Sequence, residues 1–155
     1  MKFMKYVIVC LSFFIISCTL DLDLTVHDED KAAEQTKQFF EQLRTHNGVT
    51  ETYENSHIEF KNIVNQDQYS LTMKKMTKMI NNHMITLSAY ETYGSEEAIA
   101  IYAIAKKEEN TKYFRIIFKG TKSKGYNVLN FNMNDQGFKA SGFYKEFTNP
   151  VFFKI

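Results

Sequence analysis

Side chains that could do chemistry are few in this chain, and their spacing leaves little room for catalysis. The four histidines, His27, His46, His57 and His83, are scattered, with no pair one helical turn apart. Metal sites take clustered ligands at recognisable spacing, so no metal is expected. The serines lack a Gly-x-Ser-x-Gly elbow, and no glycine-rich phosphate loop is present. Gly120 to Gly125 has the composition of a phosphate loop but not its spacing or its following helix, so it reads as a hairpin turn. Asp is nearly absent after Asp67, where only Asp135 remains, within a turn signal. Glu and Tyr are plentiful, yet no spacing selects an acid–base pair. No catalytic residue and no cofactor are expected, and the chain reads as a non-enzyme.

Three residues are candidates for binding. Arg115 interrupts the apolar strand pattern Tyr113-Phe114-Arg115-Ile116-Ile117-Phe118, on the Tyr113/Ile117 face. A guanidinium in that position either meets an anionic ligand or sits on the outer sheet face beside a Glu. Tyr53 and His57 are weighed as pocket-lining residues against ordinary packing.

The clearest chemistry belongs to Cys18. Met1 to Lys5 is short and positive, and the eleven-residue run Tyr6 to Ile16, interrupted by Ser12, suits the apolar part of an export signal. A spanning helix needs about 20 apolar residues, and here Asp21 and Asp23 follow almost at once. The tail Ile15-Ile16-Ser17-Cys18 resembles the lipobox of bacterial lipoproteins. That resemblance implies cleavage between Ser17 and Cys18 and acylation, palmitate-type chains included, of Cys18. Two or three chains make a durable membrane tether where one does not. Thr19, in place of Asp, hints at the periplasmic face of the outer membrane if the cell has two membranes.

Cys10 would leave with the signal, so the mature chain has no thiol for a disulfide, zinc site or nucleophile. The 19 basic residues less Lys2 and Lys5 leave 17 against 18 acidic ones. A nucleic-acid binder needs a basic surplus, so no nucleic-acid partner is expected. The aromatic load, 14 Phe and 9 Tyr, exceeds what a small core requires and suits a pocket or a partner surface.

The elements that position these residues follow from periodicity. Residues 1–17 read as signal, 18–27 as an acidic tether, 28–142 as one α+β domain and 143–155 as a C-terminal tail or edge segment. A first helix is expected from Asp28 to His46, with Ala32, Thr36, Phe39, Phe40 and Leu43 on its inner stripe and Gly48 as its stop. A short helix is expected over Thr50–Ser56. A third begins near Asp67 or Ser70 and buries Tyr69, Met73, Met76 and Ile80. From Met84 the period changes to two, with strands around Ile85-Leu87-Ala89, Ile99–Ile104, Phe114–Phe118 and Leu129-Phe131-Met133. Short breaks between them favour antiparallel pairing, with the helices packed on one face of a curved sheet.

Ala32-Ala33 with Phe39-Phe40, Tyr53-Glu54 before Phe60-Lys61, Leu87-x-x-Tyr90-Glu91 and Gly125-Tyr126-Asn127-Val128 together resemble the NTF2-like superfamily across about residues 30–138. The chain has no Trp, so Tyr126 stands where relatives often carry one. The resemblance implies a cone formed by helices on a curved sheet; a cystatin-like sheet on one helix is the alternative. The superfamily's familiar enzyme, ketosteroid isomerase, places an acidic base and hydrogen-bond donors in an apolar pocket. The function expected is binding in the cell envelope. The partner is a protein or a second copy of the chain, in assembly or as an immunity-type inhibitor of a toxin. The alternatives are a small hydrophobic or anionic ligand held in the cone, and an enzyme resembling ketosteroid isomerase.

Overall fold

The structure is a computed structural model and describes residues 26–93, 96–139 and 143–155. Ser17, Cys18 and the tether up to Thr25 lie outside the described residues. Four helices precede five strands: α1 (Glu29–Gln42), α2 (Gly48–Glu54), α3 (Ile58–Ile63), α4 (Gln66–Met79), β1 (Met84–Tyr93), β2 (Ala98–Lys107), β3 (Asn110–Thr121), β4 (Gly125–Asn134) and β5 (Tyr144–Lys154). The strands form one antiparallel sheet in the order β4-β3-β2-β1-β5. The class is therefore α+β, with the helices on one face of an open sheet. Among the described residues no helix is long and apolar enough to cross a membrane.

Local chemistry sets the helix ends. The Asp28 carboxylate accepts from the Lys31 N–H at 2.9 Å and caps α1, with Glu29 and Asp30 in the positive first turn. The Asp28 N–H donates to the Tyr126 hydroxyl at 2.9 Å, which ties the start of α1 to β4. Asn65 caps α4 in the same way through the Gln68 N–H. Gly48 does not stop α1 but opens α2. A Cβ there would lie 1.6 Å from the Gln42 carbonyl oxygen, so the close corner between the two helices admits only glycine.

The core lies between the helices and the inner sheet face. Phe40 packs edge-on to Phe114 at 5.3 Å between ring centroids, and 5.9 Å from Phe153 of β5. Phe39 meets Phe131 at 5.7 Å, while Met73, Met76 and Ile80 fill the α4 side. Both sheet edges are managed. The His57 N–H donates to the Val128 carbonyl at 2.8 Å, so the α2–α3 corner covers the β4 edge. On β5, Glu146 to Val151 pass while β1 moves only from Ala89 to Leu87. That wide bulge accommodates Pro150, which has no N–H for a ladder.

Two register shifts correct the faces that a strict period of two assigns. One lies in β1 at Ser88, between Leu87 and Ala89. Ile85 and Leu87 join the inner core, whereas Ala89 packs with Ala100 and Tyr102 on the outer face. The other lies in β4, where Ile117 pairs with Asn130 and Phe118 with Val128. Leu129 is thereby separated from Phe131 and Met133 of the inner core.

Residues 135–143 connect β4 at one edge to β5 at the other, and Gly137 and Phe138 lie over the outer face. Phe138 is 6.1 Å from the Tyr102 ring, and Gly137 lies against Tyr113. The outer face thus carries a second, smaller cluster, in which Tyr144 also packs on Tyr102.

Candidate functional site

The polar residues of this outer face form one network. Alternation along β1 after its bulge brings Ala89, Glu91 and Tyr93 outward. On β2 the outward set includes Ala100 and Tyr102, and on β3 it includes Tyr113, Arg115 and Ile117. Glu91 is 2% exposed, and the Tyr102 hydroxyl donates to its carboxylate at 2.6 Å. Arg115 Nη2 donates to the Tyr93 hydroxyl at 2.7 Å, and the guanidinium lies 6.0 Å from the Tyr102 ring centroid. Arg115 Nε is buried and has no hydrogen-bond partner.

Burial, and then the hydrogen bond to Glu91, push the Tyr102 hydroxyl well above the ordinary tyrosine value. Tyr93 is raised for the same two reasons, with the Arg115 charge acting against them. Both phenols are therefore neutral donors at physiological pH.

A cavity of about 330 Å³ opens beside this network. Tyr93, Arg115 and Asn130 supply polar groups to it; Ile63, Ile117 and Leu129 supply branched aliphatic ones. Glu59 and Glu96 also line it. Glu59 is offset by Lys119, whose Nζ lies 3.7 Å from its carboxylate. Glu91 is not among the lining side chains. A smaller cavity of about 140 Å³ lies near Tyr102, Tyr113, Phe138 and Tyr144.

The three binding candidates do not converge. Arg115 lies on the outer face, away from the helix-covered interior, and its partner there is Tyr93. Tyr53 belongs to the helical core: its hydroxyl donates to the Val64 carbonyl at 2.8 Å, and its ring packs on Phe60 and Tyr69. His57 caps α3, with Nδ1 accepting from the Glu59 N–H at 3.3 Å. It also lines a separate surface cleft of about 280 Å³ with Lys119 and Lys124. Among the described residues no group of three His, Asp or Glu side chains is placed to hold a metal ion.

Sequence reasoning missed Glu91, Tyr93, Tyr102 and Leu129. The signal available was a charged residue inside a strand pattern: Glu91, like Arg115, interrupts an apolar run.

The fold and this site define an α+β domain whose outer sheet face carries a buried charged network beside an open cleft. Compared with protein-family models, curated proteins and solved structures, the chain shows no match.

Proposed function

We propose that this chain is a lipid-anchored protein of the bacterial cell envelope that acts by binding, and that its principal partner is another protein. The anchor rests on the signal-like N-terminus and the lipobox resemblance around Cys18. The single observation that carries the protein-partner reading is the filled centre of the core, which leaves on the helix side only a cleft of about 230 Å³ between α1, α2 and β4 among the described residues. Phe40, Phe114, Met76, Ile116 and Phe118 are each no more than 1% exposed between helices and sheet, where an NTF2-like cone would hold a ligand. Large apolar side chains stand on the surface instead, with Ile63 83% and Phe152 63% exposed. Catalysis is disfavoured because the carboxylate paired with a tyrosine donor, Glu91, is closed off from the neighbouring cleft.

The test is a photo-reactive benzophenone residue placed at position 63 or 152 of the full chain in cells. A third version carries it at exposed Lys75 on the water-facing side of α4. Discrete adducts of one mass from position 63 or 152, and none from 75, are expected. The same diffuse adducts from all three positions, or none from any, would contradict a protein partner.

A second reading, small-ligand binding, is favoured by one observation. Arg115, its guanidinium bonded to the Tyr93 hydroxyl, lines an open cleft with aliphatic walls.

A further inference from the structure

The geometry points to the Arg115 cleft as a binding site for a zwitterion, specifically a free α-amino acid with a branched aliphatic side chain. This deepens the small-ligand reading and is independent of the lipid anchor, although Ile63 belongs both to this cleft and to the apolar surface proposed for a protein partner.

Arg115 places one positive group on the cleft, held in position by its bond to the Tyr93 hydroxyl and by the Tyr102 ring. Of the two carboxylates lining the cleft, Glu59 has Lys119 beside it, whereas Glu96 stands exposed. A simple anion would gain from Arg115 and be opposed by Glu96. A simple cation would meet the reverse. A ligand that carries both charges on adjacent atoms gains from both.

Shape and polarity agree with that reading. A guanidinium presents paired N–H donors that match the two oxygens of a carboxylate. The Asn130 amide adds a further polar group, able to donate or accept. Ile63, Ile117 and Leu129 form a wall suited to an aliphatic side chain. A volume of about 330 Å³ is at the small end for ligand pockets, which favours a single amino acid over a peptide.

The bulge at Leu129 gives the cleft its own structural reason. Without it, strict alternation would leave this leucine in phase with Phe131 and Met133, on the inner face. A buried network of Glu91, Tyr102 and Tyr93 then holds the arginine without closing the cleft over it. Such networks are costly if only stability is at stake, because apolar residues would fill the same face more cheaply.

The experiment is equilibrium dialysis of the detergent-solubilised full chain with radiolabelled L-leucine as probe. 4-Methylpentanoate, which lacks the amine, and 3-methylbutylamine, which lacks the carboxylate, serve as competitors. Saturable leucine binding with a Kd of about 1 mM or tighter is expected, with each half-ligand at least ~10-fold weaker. Arg115→Met and Glu96→Gln should each weaken leucine about 10-fold or more, with an unchanged circular dichroism spectrum. If Arg115→Met fails to fold, Glu96→Gln decides, because Glu96 is exposed and supports no core contact. No saturable leucine binding overturns the proposal. Competition by 4-methylpentanoate as strong as by leucine, with Glu96→Gln silent, also overturns it but leaves an anionic-ligand reading standing.

Discussion

Glu91 and Arg115 share a sheet face with two tyrosines, and each of the two bonds to a tyrosine hydroxyl. A carboxylate removed from water costs several kcal/mol unless donors replace its hydration. The Tyr102 hydroxyl at 2.6 Å is one such donor, and the raised pKa of Tyr102 keeps its proton in place. His27 shows the opposite case. Its ring is 6% exposed and stacked 6.1 Å from Tyr126, and neither nitrogen makes a hydrogen bond of good geometry. Burial lowers its pKa below 6.5, with the Glu97 charge and the Tyr93 backbone acting the other way. A lowered folded-state pKa means that the unfolded chain takes up the proton first. The contribution of His27 is therefore fully present above pH 6.5 and is lost as pH falls through the folded value. In urea unfolding between pH 8 and pH 5, the wild type should lose stability towards acid, and His27→Phe should lose less while matching it at pH 8. Equal acid slopes for the two proteins would show that His27 does not titrate with unfolding. At this scale the sequence revealed Arg115, because a charge inside an apolar strand is visible in a string of letters. It did not reveal Glu91 or Leu129 as outer-face residues, because Glu91 lies beyond one bulge and Leu129 within another, and no local composition marks either bulge.

Elements follow the same division. The long helices α1 and α4 were legible from their apolar stripes, and four strands from their alternation. α3 was not, because six residues with Ile58 and Ile63 both pointing to solvent carry no amphipathic signal. β5 read only as a tail or edge segment, since Pro150 and polar residues break its pattern; its bulge reconciles that proline with pairing to β1. The β3–β4 turn offers a test of how tightly element geometry is set. Gly120 has φ +140, and a Cβ there would lie 1.9 Å from the Gly125 carbonyl oxygen. Gly125 has φ +81 but nothing within 4 Å of where its Cβ would be. Gly120→Ala should therefore cost ~3 kcal/mol or more, since strain and overlap both act, whereas Gly125→Ala should cost about 1 kcal/mol from backbone conformation alone. Denaturant midpoints of the two variants check this. Equal losses would mean that the turn relaxes around an added methyl.

At the scale of the whole molecule, helices and sheet enclose the main core on one face, while Gly137 and Phe138 of the β4–β5 connection lie over the other. That arrangement leaves the cleft beside Arg115 open, and on the helix side a cleft of about 230 Å³ enters between α1, α2 and β4 beside Phe39, Phe118, Tyr126 and Val128. The chain enters the described domain at Val26, whose carbonyl accepts from the Lys122 N–H at 3.0 Å beside the β3–β4 turn. Seven residues separate Cys18 from Val26, and the eight Cα-to-Cα steps span at most about 27 Å at full extension, so an anchor at Cys18 would hold that end of the sheet near the bilayer. Envelope attachment would thus set both where the domain works and which surfaces a partner can reach. The most direct measurement is the intact mass of the membrane-extracted protein, with wild type beside Cys18→Ala. A wild-type mass lacking residues 1–17 and carrying acyl chains is expected, with both changes absent from the variant. An uncleaved or unacylated wild-type mass would contradict it.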